Sequence, residues 1–161
     1  KATKKVFLET AKNYDIIHLA THGVILGNPL ESYLLLAGTT EEEKRLTLHD
    51  VAGYAALREK TDLVFLSACQ TAAGDATGNG SELISLAEAF AMAGPPTLIA
   101  TLWQVDDAST GSLAVEFYRL LMEGGDDKLD CLRKAQIRLL NEKRYTHPFY
   151  WAPFIMIGNF R

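Results

Sequence analysis

The chain has 161 residues, 48% of them hydrophobic and 22% charged, with a formal net charge of -4. These values predict one globular domain with a single core, and the acidic excess argues against general attraction to nucleic acid or anionic lipid. No apolar run approaches the ~20 residues of a membrane-spanning helix. Two cysteines do not make a disulfide framework, which favours a reducing, cytoplasmic setting.

Short apolar runs alternate with amphipathic ones along the chain. The first part predicts a helix over residues 3–13, strands over 15–21 and 32–38, an acidic surface stretch over 39–45 and a helix over 47–60. The second part predicts a strand over 62–69, a Gly-rich loop over 70–80, a helix over 81–94, a strand over 97–103, helices over 107–125 and 127–144, and a strand over 154–157. Strands that alternate with helices predict an α/β fold with a mainly parallel sheet.

Reactive or polar residues stand where three of these predicted strands end. They are His22 with Gly23, Cys69 with Gln70, and the segment 104–107. Because parallel strands bring their carboxyl ends to one sheet edge, where ligands collect, we expect the three ends to meet.

Cys69 and His22 have the residue types of a thiol nucleophile and its base. A histidine close to a thiol favours the reactive thiolate, and the amide N–H groups of Gly23 and Cys69 could stabilise an oxyanion. The alternative is that both residues are ordinary strand components, since free cysteine is among the most buried residue types.

Metal and nucleotide sites fit the sequence less well. His18 and His22 are four positions apart, and in a strand that separates them by about 13 Å, too far to share a zinc ion. The Gly-rich run 74–82 precedes a predicted helix, as phosphate cradles do, but it lacks lysine and both common nucleotide patterns. We therefore predict no metal and no cofactor, and keep a nucleotide-binding domain as a rival.

Basic residues are absent between Lys60 and Arg119. The same stretch contains acids: Asp62, Asp75, Glu82, Glu88, Asp106, Asp107 and Glu116. A cationic ligand would find a carboxylate partner in Asp106 or Asp107. Alternatively, these aspartates only cap the helix that follows, a role that Asp107 could fill, or one aspartate serves each role.

Five segments together resemble a CHAT domain, the caspase-like module commonly found after tetratricopeptide repeats. They are HLATHG (18–23), LVFLSACQT (63–71), TGNGSE (77–82), AFAMAGPPTLIATLWQVDD (89–107) and HPFYWAPFIMIGNF (147–160). The resemblance runs from about residue 10 to the end of the chain, with the motifs in the family's order. It implies a three-layer caspase-like fold, with a mainly parallel central sheet flanked by helices.

The resemblance also implies residue roles. In the caspase, separase and gingipain class of cysteine peptidases, Cys69 would be the nucleophile and His22 the acid–base group, with an oxyanion hole from the amides of Gly23 and Cys69. The segment LWQVDD is similar to the part of separases that forms an acidic pocket, which implies a substrate-binding role for Asp107 and Asp106. Ser67 falls where caspases carry a glutamine that lines this pocket.

The expected function is therefore that of a cytoplasmic cysteine endopeptidase that cleaves protein substrates after Arg or Lys. Residues 1–161 would form a single domain, the C-terminal part of a longer chain that lacks the first strand of the fold and follows a regulatory repeat region. We expect no direct contact with nucleic acid or membrane. The rival within the same fold is a catalytically idle protein-interaction module.

Overall fold

A six-stranded sheet forms the centre of the computed structural model, which describes residues 1–26, 31–54, 57, 60–72, 89–103 and 105–160. Its strands are β1 (Ile16–Ile25), β2 (Tyr33–Leu35), β3 (Arg45–Thr47), β4 (Leu63–Ala72), β5 (Thr97–Thr101) and β6 (Phe154–Gly158). The helices are α1 (Lys4–Thr10), α2 (Glu41–Lys44), α3 (Leu48–Ala52), α4 (89–93), α5 (Asp107–Glu123) and α6 (Lys128–Asn141). Short 3-10 turns occupy Ala11–Asn13 and Pro148–Tyr150.

The strand order is β3-β2-β1-β4-β5-β6. The three central strands β1, β4 and β5 are parallel, whereas β2, β3 and β6 pair antiparallel with their neighbours. The predicted parallel sheet is thus confirmed at its centre, and the carboxyl ends of the central strands lie at one edge, as expected.

Apolar residues on the two faces of β4 belong to two different cores. Leu63 and Phe65 pack in one cluster with residues of α5 and α6. Val64 and Leu66 pack in the other, with residues of α1, α3 and α4. Because successive strand residues point to opposite faces, an unbroken apolar run here means helices on both sides. This three-layer arrangement confirms the predicted fold class and is compatible with a caspase-like fold.

The central strands β1 and β4 are longer than predicted. Their register runs without interruption from Ile16 opposite Leu63 to Ile25 opposite Ala72. His22 and Cys69 therefore lie inside strands, and the prediction that the strands end at these residues was wrong. Pairing with a neighbouring strand outweighs the local turn preference of Gly23, and such long-range pairing is not visible in a local pattern.

Other boundaries also differ from the prediction. The helix predicted over 47–60 ends at Ala52. The acidic stretch 39–45 contains α2 and the start of β3, and a capping box at Thr40 begins α2. Residues 70–72 of the predicted loop belong to β4, and residues 73–80 lie outside the described part of the chain. Of the helix predicted over 81–94, residues 89–93 are helical and 81–88 lie outside the described part.

Candidate active site

The central observation at the site is a backbone register. His22 of β1 is the Cα partner of Cys69 on the parallel neighbour β4. Neighbouring strands lie about 4.8 Å apart, so the two backbone positions are adjacent across one strand gap. The predicted juxtaposition of these two residues is therefore present at the level of the backbone.

A cleft of about 330 Å³ opens beside this register, between the sheet and the first turns of α5. It is lined by residues of β1, β4 and the α5 region: His18, Ala20, Thr21, His22, Ser67, Val105, Asp107, Thr110, Gly111 and Ala114. Among these lining residues the ionisable side chains are two histidines and one aspartate, with no Lys or Arg. The cleft therefore suits a cationic group better than a phosphate.

Small residues on one face of α5 create the room for this cleft. Asp107, Thr110, Gly111 and Ala114 follow the three- and four-residue spacing that defines a helix face. A Cβ atom built on Gly111 would meet nothing within 4 Å. Larger side chains one turn further along close the gap against the sheet, among them the fully buried Phe117.

His18 and Ser67 lie next to each other in the cleft. The His18 Nε2 atom is 3.3 Å from Ser67 Oγ, and the imidazole packs against the rings of Phe65 and Tyr118 at centroid distances of 4.7 and 5.7 Å. One side of the ring reaches solvent through the cleft, while the packed side is shielded from water. Burial lowers the pKa of His18, which favours the neutral imidazole. His18 therefore packs against two aromatic rings and also lines the cleft.

The two aspartates before α5 have different positions. Asp106 is the N-cap residue, and its Oδ1 accepts a hydrogen bond of 2.8 Å from the backbone N–H of Ser109. Asp107 is the first helical residue and lines the cleft. The suggestion that Asp107 caps the helix was wrong, because the extended backbone at 106, not 107, brings its carboxylate back to the free N–H groups of the first turn.

His22 and Gly23 occupy different environments at the same end of the cleft. The His22 side chain is exposed and has no hydrogen-bond partner among the described residues. Gly23 is buried within β1, with Leu34 of β2 and Gln70 of β4 as its register partners. Its peptide groups therefore lie between two strands, whereas the sequence predicted a free strand end.

Neither a metal cluster nor a membrane span is found in the described part of the chain. No group of three or more His, Cys, Asp or Glu residues there is arranged to hold a metal ion. No helix among these residues is long and apolar enough to cross a bilayer. Most of the Gly-rich segment considered for phosphate binding falls outside the described residues.

Two cleft residues, Thr110 and Gly111, were not anticipated from the sequence. The signal was present, because a helix that is otherwise amphipathic carries small and polar residues at the spacing of one face. Recognising it required knowing that this face meets the sheet edge beside His22.

Comparison with known proteins gives a match between residues 1–159 and the model of the CHAT domain family. Tetratricopeptide repeat protein 28 of Mus musculus is 34% identical to this chain over 103 residues, which is 64% of the chain. The protein of the same name from Homo sapiens is 30% identical over 118 residues, or 73% of the chain. The chain spans 4% of the length of each of these relatives.

Proposed function

The chain belongs to the CHAT family, a family of caspase-like, peptidase-related modules, and on that premise we propose that it is a cysteine endopeptidase. Cys69 is the nucleophile and His22 the acid–base group. The observation that carries the proposal is the register of these two residues on adjacent parallel strands, beside a cleft that contains His22. The proposal requires the thiol to share the face of the sheet on which His22 and Ser67 line the cleft.

The reaction is nucleophilic acyl transfer. The Cys69 thiolate bonds to the carbonyl carbon of the scissile peptide, and the carbonyl oxygen becomes an oxyanion. His22 gives a proton to the departing amine nitrogen as the C–N bond breaks. Water then attacks the thioester while His22 accepts its proton, and the C–S bond breaks. This releases the carboxylic acid product and restores the Cys69 thiolate and the protonated imidazole with which the reaction began.

Specificity is directed to a basic residue, Arg or Lys, immediately before the cleaved bond. The cleft contains the carboxylate of Asp107 and no Lys or Arg among its lining residues, which supports a cationic side chain as its occupant. Asp106 contributes by fixing the start of α5, and Ser67 lines the cleft next to His18. The nucleotide-binding alternative receives no support from this charge arrangement.

The test compares cleavage of a reporter peptide with a single arginine by the full-length protein and by two cysteine variants. Cys69→Ala should abolish cleavage, because it removes the nucleophile. Cys131→Ala serves as the matched control, since Cys131 is buried in the core between α5 and α6 and should leave turnover within about twofold. Equal activity of the wild type and Cys69→Ala would rule out the assignment.

A catalytically idle protein-interaction module is the second candidate. The observation that favours it is the His22 ring, which is exposed and has no hydrogen-bond partner to orient it among the described residues. Catalytic bases are generally oriented by a third group, although such contacts are often loose without substrate. If the domain is an idle module, the wild type should cleave no reporter peptide under any condition.

The setting of the domain in a whole protein follows the relatives. The name of these relatives refers to tetratricopeptide repeats, which supports a repeat region upstream of this chain that controls access to the cleft. We place the activity in the cytoplasm, where a reducing environment keeps the Cys69 thiol free. The partners are then a protein substrate and the repeat region itself.

A further inference from the structure

His18 lies at the inner end of the cleft. His18, Ala20 and His22 alternate along β1 and all line the cleft, so they share one face of the strand. At about 3.3 Å per residue, His18 stands about 13 Å from His22 along the strand, away from the carboxyl edge of the sheet. The residue between them is alanine, whose small side chain leaves the cleft open from one imidazole to the other.

The helix α5 runs along the cleft in the direction opposite to β1. Its first residue, Asp107, lines the cleft, and Tyr118 follows about 16 Å further along the helix axis. The ring of Tyr118 packs against that of His18, with 5.7 Å between the two centroids. Asp107 therefore lies toward the His22 end of the cleft, and a side chain that enters between His22 and Asp107 points toward His18.

The contacts of the His18 imidazole permit both of its charge states. The side chain lines the cleft and is exposed, so a group bound there can reach it. Its hydrogen-bond partner is the hydroxyl of Ser67, at 3.3 Å from Nε2. A hydroxyl can donate to a neutral ring nitrogen or accept from a protonated one, whereas a carboxylate in this place would hold the ring in its charged form. Burial lowers the pKa of His18, which favours the neutral ring near pH 7.

His18 is the group whose charge changes at this end of the cleft. Among the described residues that line the cleft or pack on His18, the other titratable side chains are His22, Asp107 and Tyr118. The phenol of Tyr118 stays uncharged, because burial raises its pKa further above neutrality. His22 and Asp107 lie toward the opposite end of the cleft.

We infer that His18 is a specificity-determining residue of the cleft, which admits a cationic side chain when its imidazole is neutral and repels one when its imidazole is protonated. Like charges repel more strongly at a partly buried site than in bulk water, so one added proton has a large effect on a cation bound nearby. The inference rests on the proposed function for identifying the bound side chain as the residue before the cleaved bond. Its physical content is binding, which is measurable without turnover.

The experiment measures peptide binding by full-length protein that carries Cys69→Ala and His22→Gln. The first substitution prevents cleavage, and the second removes the other titrating imidazole of the cleft lining. Two rhodamine-labelled peptides without histidine or free termini differ at one position, which is arginine in one and citrulline in the other. Citrulline has nearly the shape of arginine but no charge, so the ratio of the two dissociation constants reports the preference for a cation.

The ratio is measured by fluorescence anisotropy at about pH 7.5 and about pH 5.0, on either side of the usual histidine pKa of about 6.5. The arginine peptide should bind at least tenfold more tightly than the citrulline peptide at the higher pH. This preference should fall at least threefold at the lower pH, because protonated His18 repels arginine and leaves citrulline nearly unaffected.

Three further substitutions in this background test the role of His18. His18→Gln provides a polar side chain that stays neutral, and it should keep the preference within twofold between the two pH values. His18→Lys provides a permanent charge, and it should lower the preference at least threefold already at pH 7.5. His49→Gln is the matched control, since His49 is an exposed histidine of α3 outside the cleft lining, and it should preserve the pH dependence of the parent. Melting temperatures verify that each variant is folded, and the His18→Gln comparison alone decides if His18→Lys does not fold.

This inference and the proposed function can fail separately. A preference for arginine that weakens at low pH, and that loses this pH dependence in His18→Gln, supports the inference even if the wild type cleaves nothing. In that case the peptidase proposal alone fails. The inference is overturned if the parent shows no preference for arginine at pH 7.5, if its preference is the same at both pH values, or if His18→Gln retains the pH dependence.

Discussion

Replacing Asp106 and Asp107 one at a time by alanine should separate fold stability from substrate selectivity at adjacent positions. Asp106 accepts the hydrogen bond that caps α5, whereas Asp107 lines the cleft. The two variants remove the same charge from the same helix end, so each serves as the control for the other. Any general effect of lost negative charge should therefore appear in both.

The expected magnitudes follow from these contacts. Loss of the Asp106 cap costs about 1 kcal/mol, which in a chain of this size lowers the melting temperature by about 2–4 °C. Asp107 lies in the first turn of α5 at an exposed position, where its carboxylate is stabilised by the helix dipole, so its removal should cost about 0.5 kcal/mol or less. A hydrogen bond to a charged partner is worth about 1.5–3 kcal/mol, so Asp107→Ala should lower kcat/KM for an arginine substrate by about 10–100-fold.

The assay combines thermal unfolding with kcat/KM for two reporter peptides that have arginine or alanine before the cleaved bond. Asp106→Ala should lower the melting temperature and leave the arginine-to-alanine selectivity within about twofold. Asp107→Ala should leave the melting temperature nearly unchanged and lower the arginine-to-alanine selectivity. The reasoning is refuted if Asp106→Ala erases the selectivity while Asp107→Ala retains it, because the cap and the cleft contact would then have been assigned to the wrong residues.

Three further predictions concern the framework around the cleft. Gly158→Ala should destabilise the fold by about 2 kcal/mol or more in chemical denaturation, because the residue has φ of 104° and a Cβ would collide with the backbone carbonyl oxygen of Pro96. Glu116 of α5 pairs with Arg119 on the same helix and with Arg138 of α6. Glu116→Ala should cost about 1–2 kcal/mol, a figure reduced because both guanidinium groups are half-exposed. Hydrogen bonds from Arg119 lower the pKa of Glu116 in the folded protein. The stabilisation that Glu116 provides should therefore be complete above the usual glutamate pKa of about 4.3. It should be lost as the pH falls through the lower pKa that Glu116 has in the folded state. Burial lowers the pKa of His18 in the folded protein, so the unfolded chain binds a proton more readily. The free energy of unfolding should therefore decrease as the pH drops below about 6.5, the usual histidine pKa. His18→Gln should remove this pH dependence from the unfolding free energies measured in urea.

The sequence predicted the central architecture well, because local periodicity and burial agree there. The apolar run at 63–66 predicted a strand covered on both faces, and β4 contributes alternately to the two cores. The helices predicted over 107–125 and 127–144 match α5 and α6 closely, since both have caps and an amphipathic repeat. Parallel topology predicted that the strand ends carrying His22 and Cys69 lie at one sheet edge, whereas their direct register is seen only in the structure.

Features that depend on contacts distant in the chain were not predictable in the same way. The extension of β1 beyond Gly23 results from pairing with β4, and β3 is a strand because it pairs with β2. The choice between Asp106 and Asp107 as the helix cap depends on one backbone torsion, which residue type does not determine. The contribution of Gly111 becomes visible only when the helix face toward the cleft is known.

The claim on which the account depends is that His22 activates the thiol of Cys69. The most direct measurement is the rate of iodoacetamide alkylation of each cysteine at about pH 6, followed by mass spectrometry in the wild type and in His22→Ala. Cys131 is the internal reference, because burial raises the pKa of its thiol and keeps it unreactive. Cys69 should react far faster than Cys131, and His22→Ala should slow the alkylation of Cys69 at least tenfold. A Cys69 rate that matches Cys131, or that is unchanged by His22→Ala, would contradict this claim.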